Sequence, residues 1–110
     1  MSAWVALAIA IFSEVIATSF LKASDGFSKL WPSVIVIVGY ASAFYFMSIS
    51  IKSIPVGVTY AIWSGTGIVL IALVGWLVMG QKLDWPAILG MSLIVAGVLV
   101  IQLGSKSVGH

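Results

Sequence analysis

Cysteine and arginine are both absent from the 110-residue chain, whose only basic side chains besides His110 are five lysines and whose only acids are Glu14, Asp25 and Asp84. Without thiols there is no disulfide and no thiolate metal site, although this leaves the compartment open. Charge is scarce throughout: 7% of residues are charged against 62% hydrophobic, a balance far from that of a soluble domain. The net charge of +2 is spread over scattered lysines, so nothing points to nucleic acid. No nucleophile–base pair, metal-ligand cluster or phosphate loop is present, which argues against an enzyme, a metal site or a cofactor.

Long apolar runs fill the space that charge leaves. A bilayer core of about 30 Å takes roughly 20 apolar residues per helix, and four runs approach that length. They predict an all-α membrane protein, one domain over 1–110, with transmembrane helices at about 3–21, 32–51, 55–79 and 85–104. Segments such as "SVIVIVG" and "GIVLIALVG" are apolar on every face and lack the alternation of a membrane strand. The first run has no basic residues before it and carries Glu14 within it, so it reads as a retained helix, not a secretory leader. Asp25-Gly26, Pro32, Pro86 and Gly80 mark the turns and helix ends between the runs.

Lysine bias normally orients a membrane chain, and here it nearly cancels. With both termini on one side, Lys22, Lys29 and Lys82 face one compartment, while Lys52, Lys106 and the N-terminal amine face the other. A chain without preference can insert both ways, and two opposed copies would make the inverted pair that larger transporters build from an internal repeat.

Glu14 sits within about two positions, or roughly 3 Å along the axis, of the centre of its run. A carboxylate there costs about 2.5–3.5 kcal/mol on insertion scales, so such groups face a partner or a water-filled cavity. Every lysine lies at or beyond a run's end, so Glu14 must be protonated, hydrated, or paired with something that comes and goes. Leu7, Ala10, Ile11, Ala17 and Thr18 share its helical face, and the small ones leave room beside it. A permeant organic cation is the natural counter-ion, because it sheds water cheaply and binds aromatic faces. Tyr60 and Trp63, three apart, and Tyr40 and Phe44, four apart, offer such faces, with the Tyr60 hydroxyl as a donor to the carboxylate. Taken alone, Tyr60 and Trp63 also fit interface anchoring, and Phe44 a lipid-facing or core role. Gly65 and Gly67 suit either close packing or a helix bend, and Gly90, Leu93, Ile94 and Gly97 form a face fit for another subunit. His110, at the tip of a polar tail, reads as a bystander.

The segments "SEVIATSFLK", "GFSKLWPSV", "IPVGVTYAIWSGTGIVLI" and "LDWPAILGMSLIVAGVLVIQL", in this order and spacing, resemble the small multidrug resistance transporters over essentially the whole chain. The resemblance implies an antiparallel homodimer in the bacterial inner membrane that exchanges protons for hydrophobic, aromatic or quaternary ammonium cations. It implies that Glu14 is the shared proton and substrate carboxylate, with Thr18 as its polar neighbour. Tyr40, Tyr60 and Trp63 would line the chamber, Gly65 and Gly67 would mark the bend, and Gly90 to Gly97 the dimer contact. Ala17 and Thr66 depart from the glycine and valine of close multidrug relatives, and Ala17 would narrow the chamber. Guanidinium exporters of the family carry tryptophan at the position of Ala17, so its absence favours the multidrug subtype. The alternatives are a guanidinium or polyamine exporter, or a non-transporting subunit of a hetero-oligomer.

Overall fold

A computed structural model describes residues 1–104, and Lys106 and His110 lie outside them. Four helices follow one another: α1 (Ala3–Leu21), α2 (Leu30–Ser50), α3 (Val56–Leu77) and α4 (Trp85–Gly104). Each is long and apolar enough to cross a membrane. At 1.5 Å per residue they span about 28–33 Å, the depth of the hydrocarbon core.

The helix ends follow local chemistry. Ser2 caps α1 by accepting the Val5 N–H at 3.1 Å. α2 begins at Leu30, two residues before Pro32, because a proline in the first turn removes an N–H that has no helical partner anyway. α3 starts after Pro55, its N-cap, and stops at Leu77, two residues short of the sequence expectation. Beyond it the Met79 and Gln81 N–H groups both turn back to the Gly75 carbonyl, with Gly80 in the left-handed region at φ 69°. Asp84 caps α4, its Oδ1 accepting the Ala87 N–H at 3.0 Å. Between α1 and α2, Asp25, Gly26 and Phe27 all take positive φ, a tighter reversal than a two-residue turn. Buried Ser24 braces it, donating to the Leu21 carbonyl and accepting the Phe27 N–H.

α1 packs against α2 and α3, and α3 packs against α4. The chain therefore forms a slab 44 × 35 × 16 Å, little thicker than one helix with its side chains. Close approach of α1 and α2 depends on small residues: a Cβ on Gly39 would stand 2.8 Å from the Ala17 Cβ and 3.0 Å from the Ser13 carbonyl. At the end of this pair the Ser50 hydroxyl donates to the Ala3 carbonyl at 2.9 Å. Leu7, Ile11 and Val15 of α1 form the apolar core with Ile54 and Ile62. Among the described residues, no buried side-chain nitrogen or oxygen lacks a hydrogen-bond partner.

Candidate functional site

Glu14 lies mid-way along α1, half-buried, and among the described residues none of the four helices contains a lysine that might neutralise it. Lys22, the C-cap of the same helix, is eight residues away, about 12 Å along the axis. Its hydrogen-bond donor is Thr18, one turn on, whose Oγ1 lies 2.8 Å from Glu14 Oε1. Thr18 Oγ1 is also 2.6 Å from the Tyr40 hydroxyl on α2. A threonine hydroxyl has one proton, so while Thr18 donates to Glu14, Tyr40 donates to Thr18. The expected donor, Tyr60, takes no part in this chain.

A cavity of about 660 Å³ opens beside the carboxylate, within the size range of small-molecule sites. One stripe of α3 supplies most of its wall: Tyr60, Trp63, Ser64, Gly67, Ile68, Ile71 and Ala72 all line it. These positions alternate by three and one, the signature of one helical face. Glu14 and Thr18 add the polar edge from α1, and Met91 closes it from α4. Trp63 is held edge-to-face by two rings, Tyr60 at 5.6 Å and Phe44 at 6.2 Å between centroids.

Gly65 and Gly67 serve opposite sides of α3. A Cβ on Gly67 would meet Glu14 Oε2 at 3.3 Å, whereas one on Gly65 would meet Val98 and Ile94 of α4 at 2.7 and 3.0 Å. Each glycine makes room for a neighbour, and α3 continues as one helix through both.

The structure brings Glu14, Thr18, Tyr60 and Trp63 to the cavity and sets Tyr40 and Phe44 behind them, in contact with Thr18 and Trp63. It does not bring Leu7, Ala10, Ile11 or Ala17 there. Leu7 and Ile11 belong to the core, Ala10 is fully buried, and Ala17 faces Gly39. Ala17 therefore governs how closely α1 meets α2, where chamber narrowing was expected. The expected α4 face divides as well: Ile94 packs on Gly65, while Leu93 is 65% exposed and Gly90 and Gly97 have open space where a Cβ would be. Ser64, Ile68, Ile71 and Ala72 were legible by continuing the Tyr60–Trp63 face along α3. Met91 carried no such signal, since only the docking of α4 places it.

An apolar, aromatic-walled cavity with one membrane-embedded acid invites comparison with known proteins. The family model described as Small Multidrug Resistance protein matches residues 2–94. The chain belongs to the small multidrug resistance family. Among its relatives, the quaternary ammonium compound-resistance protein QacE of Escherichia coli is 58% identical over 110 residues, the full length of both chains. QacF of Klebsiella aerogenes is 57% identical and the multidrug transporter EmrE of Escherichia coli (strain K12) 51% identical, each again over the full length of both. Membership places this small multidrug resistance protein among multi-pass membrane proteins of drug efflux, outside the enzymes.

Proposed function

We propose that the protein is a proton-coupled antiporter of the bacterial inner membrane. It exports hydrophobic, aromatic or quaternary ammonium cations, and protons and substrate compete for Glu14. The observation that carries this reading is Glu14 itself, the one acid within the four spans, standing at the edge of an apolar cavity beside Trp63 and Tyr60. An ionised carboxylate in that setting needs a counter-charge, and a lipophilic cation or a proton can each supply it. The aromatic rings hold the cation's face while Glu14 holds its charge.

The hydroxyls beside the carboxylate suit both states. With Glu14 ionised, Thr18 donates to it and Tyr40 donates to Thr18. With Glu14 protonated, the carboxyl can donate to Thr18 and Thr18 to Tyr40, so the chain reverses without breaking. Exchange follows if the protein changes its facing only when the site is occupied, because occluding an empty ionised carboxylate is costly. A proton entering from outside displaces the cation, and a cation entering from inside displaces the proton.

A slab little thicker than one helix cannot surround a substrate by itself. Two copies in opposite orientations would enclose the cavity between them and pair their Glu14 residues. Balanced lysines on the two sides support insertion both ways, and the open flank at Gly90, Leu93 and Gly97 supports α4 as the contact between copies. Gly65 and Gly67, free of side chains on two faces of α3, would permit the bend that changes which side is open.

The deciding experiment adds tetraphenylphosphonium to the purified protein in weak buffer. Protons should be released by the parent and not by Glu14→Gln. Binding without release would separate the cation site from the carboxylate and end the competition scheme.

A further inference from the structure

Ala72 of α3 and Met91 of α4 each line two spaces. One is the Glu14 cavity, and the other is a groove of about 330 Å³ between α3 and α4. The wall they share is thin, a single methyl group from Ala72 and the unbranched thioether of Met91, whose three rotatable bonds let it move aside. The helices on either side meet closely at Gly65, against Ile94 and Val98, whereas α4 contributes no buried residue along its length. The two spaces differ in chemistry. Glu14 gives the cavity a charge, whereas the groove is walled by Val69, Leu73, Ile88 and Val95 and no ionisable group lines it. Its one hydroxyl, Ser92, is already spent, donating to the Ile88 carbonyl at 2.8 Å.

A ligand that fills both must be charged at one end and a hydrocarbon at the other. We propose that the α3–α4 groove is a tail slot, receiving the alkyl chain of an amphiphilic cation whose charged head sits at Glu14. This rests on the cation site proposed above and adds the direction in which long substrates lie. Along the cavity stripe of α3 the side chains change from aromatic Tyr60 and Trp63 to aliphatic Ile68, Ile71 and Ala72. The chain thus leaves the head over apolar groups and passes between Ala72 and Met91.

In a bilayer such a slot works by relieving a penalty. Lipid tails are as apolar as leucine, so moving an alkyl chain from lipid into the groove gains little. A chain longer than the cavity that had no exit would have to crowd the packed wall. The slot lets it stay in hydrocarbon while the head reaches the carboxylate. Affinity should therefore vary little with chain length in the parent and fall with length once the slot is filled.

The test uses the full chain in lipid nanodiscs, with alkyltrimethylammonium ions from ethyl to dodecyl displacing labelled tetraphenylphosphonium, corrected for partition into protein-free discs. Ser92→Leu and Val95→Phe each fill the groove independently from α4. Both should bind the ethyl ion as the parent does and the dodecyl ion about tenfold more weakly. An unchanged dodecyl-to-ethyl ratio in both variants, or a parent that already rejects the dodecyl ion, would overturn the slot and leave the Glu14 site standing. Failure of every member to displace the probe would likewise overturn the slot, whereas tetraphenylphosphonium that binds without releasing protons would overturn the cation site itself.

Discussion

Gly67 of α3 faces Glu14 of α1 so closely that a methyl group on the glycine would stand 3.3 Å from the carboxylate Oε2. Ordinary contact begins slightly farther out, so the carboxylate owes its position to the missing side chain. Gly67→Ala should raise intrinsic helix stability by up to about 1 kcal/mol while pressing on Glu14. Tetraphenylphosphonium binding should weaken several-fold, with thermal stability unchanged or higher, and Gly67→Val should weaken it further. Titration calorimetry beside a melting curve separates the two effects. Equal affinity in parent and Gly67→Val would show that the carboxylate has room elsewhere.

Thr18 joins Glu14 to Tyr40, so the effects of the two hydroxyls on cation binding should not add. Thr18→Val should cost about 1.5–3 kcal/mol of binding, the worth of a hydrogen bond to a charged group. Tyr40→Phe should cost less, and almost nothing in a protein that already carries Thr18→Val. A double-mutant cycle read by binding affinity measures the coupling. Strict additivity would mean that the two hydroxyls act on Glu14 separately.

The proposed competition between proton and cation for Glu14 has a definite pH signature. Cation binding should weaken as pH falls, because the proton removes the charge that the cation requires. Glu14→Gln should retain only weak binding with no pH dependence over the same range. Affinity measured across a pH series for both proteins checks this, and a parent with flat affinity would contradict it.

The α1–α2 seam closes around Gly39. A Cβ there would lie 2.8 Å from the Ala17 Cβ and 3.0 Å from the Ser13 carbonyl, and backbone cannot step aside as a flexible side chain can. Gly39→Ala should destabilise the protein by about 1–3 kcal/mol, with Ala17→Gly restoring part of the loss. Unfolding in detergent, followed by denaturant titration, would show both changes. Ala17→Gly alone should alter stability more than substrate range, since Ala17 lies off the cavity wall.

On α4, by contrast, a side chain at Gly90 or Gly97 meets nothing within 4 Å in its own subunit. If α4 forms the proposed contact between two copies, Gly90→Leu and Gly97→Leu should leave the fold of one subunit intact and shift association toward the monomer. Cross-linking or analytical ultracentrifugation in detergent reads this directly. Unaltered association in both variants would move the contact to another face.

Composition, run length and the absence of strand alternation determined that this chain forms four membrane-spanning helices, because hydrocarbon forces every backbone polar group into an internal bond and runs apolar on every face meet that demand as helices, not as barrel strands. The same argument singled out Glu14, since an acid in the middle of a span is costly and is seldom there only to hold two helices together, and the three-and-four spacing placed Thr18 beside it and Trp63 beside Tyr60. Tertiary structure decided what each face touches. In lipid the outside of a helix is as apolar as its packed side, so hydrophobic periodicity does not say which residues meet a neighbour, and α4 reads the same all round. Only the crossing of the helices turned Leu7, Ile11 and Ala17 into core and seam residues, gave Gly65 to α4 and Gly67 to Glu14, and brought Met91 to the cavity.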